Sequence, residues 1–326
     1  MLVPEQFGGL ALSFVDVALV IEELGKALVG SPVCDTLVAA DLLVRHGTDA
    51  QRARWLPRIA AGQLRAVIAF SEPGSGFAIE DIDTRAKVAD SGWLLDGHKI
   101  LVPDAAAADL VLLIAKFGAE QEHGLAVIEP GRRGVEIRDH VTIDPTCRMS
   151  SVTCTAVELR EEDRLGGSGA DVRCVARLLD LSATVAALQM TGIAVRVLEL
   201  AIAYAAQRVQ FGRPIGSFQA IKHKCADMAV AVEGSRSAVY FAAWAAAESE
   251  TDFTRAASMA KSFCGDAARM VCNEGTQIHG GMGFTWELGL HFYLRRAKLL
   301  EYSFGDASFH RERVLATTLG KQGLAG

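Results

Sequence analysis

"AYAAQRVQFGRPIGSFQAIKHKCADM", Ala203 to Met228, decides how this chain is read. Ala-rich helical text runs up to Gly212 and Pro214, breaks, and then resumes. The stretch is therefore a turn between two long helices. Arg208 and Gln210 stand on the last turn of the first helix, and Gln219 stands on the first turn of the second. An Arg at such a corner can pair with a phosphate through its planar fork, and a Gln can serve a base edge. The same residues also suit a plain Gly-Pro turn with a solvated Arg and a capping Ser217.

Toward the carboxyl end the helical pattern continues. Long segments are expected at about 171–208, 217–249, 253–280 and 287–303, with a tail helix from about 308. Long helices joined by short breaks predict an antiparallel bundle. "NEGTQIHGGMGF", 273–284, follows the third of them and carries Gly280, Gly281 and Gly283 after Gln277. Glycines let a backbone approach a ligand closely, and exposed N–H groups there favour anions. No strand precedes them, so the dinucleotide fingerprint of a Rossmann turn is not met. Taken alone, the segment also reads as a glycine C-cap followed by a packed loop.

Toward the amino end the periodicity changes. "DTRAKVA", "GWLLDGHKILV", "DLVLLIA", "GLAVIEP", "GVEIRDHV" and "VTCTAVEL" read as strands, separated by turn signals such as Asp96-Gly97 and Pro130-Gly131. Strands without intervening helices predict an antiparallel barrel or sandwich. Up to about Leu64 the text is helical again. Val15, Ala18, Leu19, Ile21 and Leu24 are expected on one buried face, and Thr48 or Asp49 should cap a helix that turns Trp55 and Leu56 inward. "MLVPEQFGGLALS" reads as a loop entering a helix, so an amino-terminal helical portion is expected to lie outside this sequence. The fold class is thus α+β, with a helical domain at 1–64, a β domain at 65–162 and a four-helix bundle at 163–326.

Composition narrows the function. The chain has 326 residues, half of them apolar, enough for two or three cores. A net charge of −6 without a Lys/Arg stripe argues against nucleic acid. Seven cysteines at irregular spacing, with no CxxC pair, point to free thiols in a reducing cytoplasm and away from zinc. No membrane span is expected, since runs such as "AAAADLVLLIA" contain Asp109 and fall short of about 20 residues.

"SEPGSG" at 71–76, "QRVQFGRPIGSFQ" at 207–219 and "QIHGGMGF" at 277–284, taken in this order, resemble the hallmarks of the acyl-CoA dehydrogenase family. "VPEQFGG", "EELGKAL", "LPRIAAGQ" and "LDGHKI" are weaker echoes, and the resemblance spans nearly the whole chain. It implies FAD, an acyl-CoA thioester substrate, an electron-transfer-flavoprotein-like acceptor, and subunits that share flavin sites. In the reaction it implies, a carboxylate removes the proton α to the thioester while the β-hydrogen leaves as hydride to the flavin.

Carried over position by position, the resemblance gives Arg208, Phe211, Gln219, Gln277, Gly280 and Gly281 to the FAD pyrophosphate and adenine across a subunit interface. Ser71 and Gly76 match residues near the flavin ring. The serine usual after that glycine is Phe77, and the aromatic and hydroxyl residues usual after "GHK" are Leu101 and Pro103. Where the family carries its catalytic Glu, this chain carries Phe304, within Ser303-Phe304-Gly305-Asp306. The alternative base slot used by some members, on the first bundle helix, falls at about Ser182. Asp306 and Asp180 remain as displaced-base candidates. Glu301 is read as an acid that is either solvated or paired with Arg295 or Lys298. Three expectations follow: a base-less subunit working beside a homologous Glu-bearing one in an α2β2 assembly; an autonomous dehydrogenase, such as a homotetramer, using Asp306 or Asp180; or a flavin-free scaffold.

Overall fold

The structure is a computed structural model that describes residues 1–169 and 173–322. The chain divides into two compact units, Met1–Ser13 with Gly30–Ser182, and Phe14–Val29 with Ala183–Gly326.

The first unit holds α2 (Val33–His46), α3 (Asp49–Ala60) and seven strands: β1 (Ala66–Ala69), β2 (Arg85–Ala89), β3 (Gly92–Pro103), β4 (Leu110–Phe117), β5 (Glu122–Ile128), β6 (Val135–His140) and β7 (Met149–Leu159). Thr48 caps α3 in a reciprocal capping box with Gln51, and Trp55 and Leu56 are buried as expected. All six anticipated strands are present. β1 was not anticipated, because four apolar residues in a row carry no alternation to read. The seven strands form one sheet, β1-β4-β2-β3-β7-β6, with β5 on the free edge of β4. The sheet is mixed. β1 and β2 both pair with β4 in parallel, β1 along its first half and β2 along its end, while the other four pairings are antiparallel.

Val111, Leu113, Ala115 and Phe117 alternate along β4 into a core shared with Leu95 and Val152. The first turn of α2 fastens β1. Thr36 Oγ1 bonds Ala66 N at 3.0 Å, and Asp35 Oδ2 accepts from Ile68 N at 3.0 Å. Further along α2, Asp41 makes a buried two-bond ion pair with Arg177 at 2.6 and 3.0 Å.

The second unit is a helical bundle: α1 (Phe14–Lys26), most of α4 (Arg173–Gln207), α5 (Gln219–Glu248), α6 (Glu250–His279), α7 (Leu290–Tyr302) and α8 (Ala307–Gln322). These bounds fall within three residues of those expected. α6 packs against α5, α7 and α8, and α1 packs on α5. α1 crosses α4 so closely that a Cβ on Gly192 would lie 2.0 Å from Glu22 O, and one on Gly25 would lie 2.3 Å from Gln189 O. The buried face of α1 differs from the expectation. Phe14, Val17, Ala18, Ile21 and Gly25 point in, while Leu19 is 61 % exposed. Glu22 is also inside, bonded to Arg236 at 2.9 Å and to the Tyr240 hydroxyl at 2.8 Å, so the face rotates to include an acid that a hydrophobicity count passes over. α4 is long and apolar enough by composition to cross a membrane. Its most apolar window is 67 % buried in protein, as expected of a core helix.

Candidate active site

Three places carry the residues singled out above. The first is the end of the bundle where α4 stops. β8 (Val209–Gln210) and β9 (Arg213–Pro214) form a small hairpin with Phe211 and Gly212 at its tip, both at positive φ (52° and 75°). Arg208 N donates to Tyr204 O at 2.8 Å, and Arg213 lies over the Phe218 ring at 4.2 Å. α5 begins at Gln219. α6 ends with Gly280 at φ 58° and ψ −135°, a conformation that favours glycine. The ends of α4 and α6 meet: the rings of Tyr204 and His279 lie 4.5 Å apart, tilted by 30°, and His279 Nδ1 bonds Gly275 O at 2.7 Å.

Arg208, Gln219, Gln277, Gly280 and Gly281 are therefore on one unit, and all are exposed. Phe211 is 93 % exposed. Among the described residues nothing ion-pairs with the Arg208 guanidinium, and open space surrounds the missing Cβ of Gly280 and Gly281. An anion or a flat ring arriving from outside would find unpaired donors and accessible backbone here. The arrangement fits the adenine and pyrophosphate end of a dinucleotide.

The second place is the loop after β1. Ser71 O accepts from Ile100 N at 2.9 Å, and Gly76 is exposed nearby in sequence. The strongest feature here escaped the sequence reading. Glu72 is buried, receives Lys99 Nζ at 2.6 Å, and also accepts from Thr84 Oγ1, Asp83 N and Thr84 N at 2.5, 2.6 and 3.1 Å. Burial opposes its charge, yet Lys99, Thr84 and the Asp83 N–H hold the carboxyl below its usual range. Burial pulls Lys99 down to about 8 against the opposing pull of Glu72. Charged letters inside "SEPG" and "GHKI" were the available signal. Past Lys99, β3 carries a bulge that leaves Leu101 at φ 54° and 52 % exposed. Leu101 and Pro103 offer neither an aromatic face nor a side-chain donor, so this segment does not fit a flavin ring as the adenine end fits its half.

The third place is the turn between α7 and α8. Phe304 sits there at φ 57°, with its carbonyl accepting from His310 Nε2 at 2.9 Å. Asp306 caps α8, its Oδ1 accepting from Phe309 N at 2.8 Å. Glu301 is only 4 % exposed. One oxygen is bonded to Arg269 and the other to Lys298 at 2.9 Å, so the solvated reading is corrected to a buried two-cation site. Arg295 instead faces the Trp286 ring at 5.7 Å. Asp180 and Ser182 lie on the other unit, at 1 % and 2 % exposure. A hydrocarbon ring holds position 304, and both neighbouring acids are committed to structural contacts.

The sequence matches the acyl-CoA dehydrogenase N-terminal domain over residues 1–63, the middle domain over 67–155 and the C-terminal domain over 169–319. It is 31 % identical over 318 residues to a mitochondrial isovaleryl-CoA dehydrogenase of Oryza sativa subsp. japonica, covering 94 % of this chain and 77 % of that one. The fold is similar to butyryl-CoA dehydrogenase from Megasphaera elsdenii, with a TM-score of 0.90 at 27 % identity over 98 % of this chain and 86 % of that one. It is also similar to a chain of the ChsE4–ChsE5 complex from Mycobacterium tuberculosis, with a TM-score of 0.88 at 25 % identity, covering 97 % and 83 %. With all three domain types matched in order, and with that order repeated in helices, sheet and bundle, the chain belongs to the acyl-CoA dehydrogenase family.

Proposed function

We propose that this chain is the non-catalytic subunit of a heteromeric, FAD-dependent acyl-CoA dehydrogenase. In this reading it works beside a homologous Glu-bearing subunit in an α2β2 assembly, in the cytoplasm, with an electron-transfer-flavoprotein-like acceptor. The observation that carries this reading is Phe304 in the base slot, with Glu301 and Asp306 both engaged in structural contacts. α,β-Dehydrogenation of a thioester needs a carboxylate to take the α-proton, and a phenyl ring cannot accept one. FAD, when bound, supplies the acceptor for the hydride that leaves the β-carbon.

The residues of this chain serve the cofactor from outside its chemistry. Arg208 would fork onto a pyrophosphate oxygen, Gln277 and Gln219 would bond polar edges, and Gly280 and Gly281 would admit the ligand to the backbone. Phe211 would cover an apolar face. Ser71 and Gly76 would stand nearer the ring, where Phe77, Leu101 and Pro103 weaken the cradle. The half that would serve a neighbour is kept, and the half that would serve a flavin of its own is reduced. The likeness to a chain from a complex of two differently named proteins supports the heteromeric arrangement. Seven free thiols suit a reducing compartment.

The autonomous reading would need Asp306 to leave the α8 cap or Asp180 to act from a site 1 % exposed. A flavin-free scaffold leaves the exposed Arg208 and the open glycine pair without a role. The test is expression of the chain alone and together with a Glu-bearing homologue. The chain alone should be colourless and inactive with a dye acceptor, and the pair yellow and active. Stoichiometric FAD and acyl-CoA oxidation by the chain alone would refute the proposal.

A further inference from the structure

We propose that Lys261 and His310 are positioning residues that hold the turn between α7 and α8 as a rigid mount for the side chain at 304. Lys261, on α6, is 1 % exposed. Its Nζ donates to Glu301 O at 2.8 Å and to Gly305 O at 2.7 Å, the two carbonyls that bracket the turn. His310, on α8, holds the carbonyl between them, donating from Nε2 to Phe304 O at 2.9 Å. That bond puts the ring proton on Nε2, so Nδ1 accepts from Ser258 Oγ at 3.2 Å. Ser258 lies one helical turn before Lys261, so both clasps are anchored on the same face of α6.

A short connection between two helices does not call for a buried lysine whose ammonium is spent on two backbone carbonyls, since removing an ammonium from water costs several kcal/mol. Nor does it call for an aromatic residue in the left-handed region, where non-glycine residues are uncommon. Neighbouring packing leaves the turn no slack: a Cβ on Gly305 would lie 2.4 Å from the Phe309 ring and 2.8 Å from His310 Nε2. Two side-chain donors on three carbonyls, with no room to relax, fix the direction of the bond from Cα to Cβ at 304. Such over-determination suits a site where a reacting group must be held in place. The inference deepens the function proposed above and rests on it only for the identity of the slot.

The test uses the full chain with a fluorinated phenylalanine placed at 304 alone, read by fluorine NMR. A second preparation labelled at the buried Phe14 serves as a report on the bundle. The expected result is one resonance at 304, displaced from that of the free amino acid. Lys261→Met and His310→Leu should each broaden it or return it toward the free value, while the Phe14 signal stays fixed. His310→Gln keeps an N–H donor and should preserve the 304 signal. An unchanged 304 resonance in both Lys261→Met and His310→Leu would overturn the proposal. Should Lys261→Met not fold, the His310 pair decides, and identical signals from Leu and Gln would overturn it. The signal needs neither flavin nor turnover, so activity of the isolated chain would refute the base-less reading without touching this one.

Discussion

Asp306 gives α8 a side-chain hydrogen bond at its first turn, and that contact defines what substitution there should do. Asp306→Ala is expected to cost about 1 kcal/mol in denaturant unfolding, with Asp306→Asn costing less because Asn also caps. Neither should change turnover of the assembled heteromer. Loss of turnover in Asp306→Asn with stability intact would show a displaced base. Glu72 is a different case. Glu72→Ala would strand Lys99, which is 1 % exposed, and breaking a buried pair in this way costs about 3–5 kcal/mol. A cost near zero in chemical unfolding would mean that water reaches Lys99. Both roles were only half legible in the letters. The Phe at the base slot could be read directly, because it needs only the identity of one residue. The engagements of Glu301 and Glu72 could not, since Arg269 and Lys99 lie 32 and 27 residues away from them in the chain.

Between elements, the buried lysines tie stability to pH. Burial lowers Lys261 to about 7, against the opposing fields of Glu301 and Asp306. Unfolded, it returns to its ordinary value of 10.5. Between those values the unfolded chain binds more protons, so this contribution to stability is complete above about 10.5 and is lost as pH falls toward 7. Unfolding free energy of the chain should therefore rise from pH 7 toward 9, by an amount on the order of a few kcal/mol; above 9 the buried thiols of Cys154, Cys264 and Cys272, which burial raises to about 11, 11 and 12, oppose the rise. Lys99 acts in the same direction from about 8. Lys261→Met should flatten the rise, and an equally steep curve in that variant would refute the assignment. The helices were legible because their apolar spacing and Gly/Pro punctuation are local. β1 and the Leu101 bulge were not, since parallel pairing with β4 and the register shift against β7 depend on partners distant in sequence.

At the scale of the whole molecule, the exposed bundle end should matter only in the assembly. Arg208→Ala, in this chain alone, is expected to lower the flavin affinity of the heteromer about tenfold or more, since a hydrogen bond to a charged group contributes about 1.5–3 kcal/mol. Thermal unfolding of the isolated chain should change little, because Arg208 is exposed and its guanidinium forms no ion pair among the described residues. Flavin content of the assembly, measured after gel filtration, reads this out, and full retention would place the cofactor elsewhere. The central claim, that this polypeptide presents no carboxylate to a thioester α-carbon, is tested most directly by anaerobic mixing of the isolated chain, given excess FAD, with an acyl-CoA. The account predicts no bleaching of the flavin unless the Glu-bearing subunit is present. Bleaching by the isolated chain that disappears in Asp306→Asn or Asp180→Asn would contradict it.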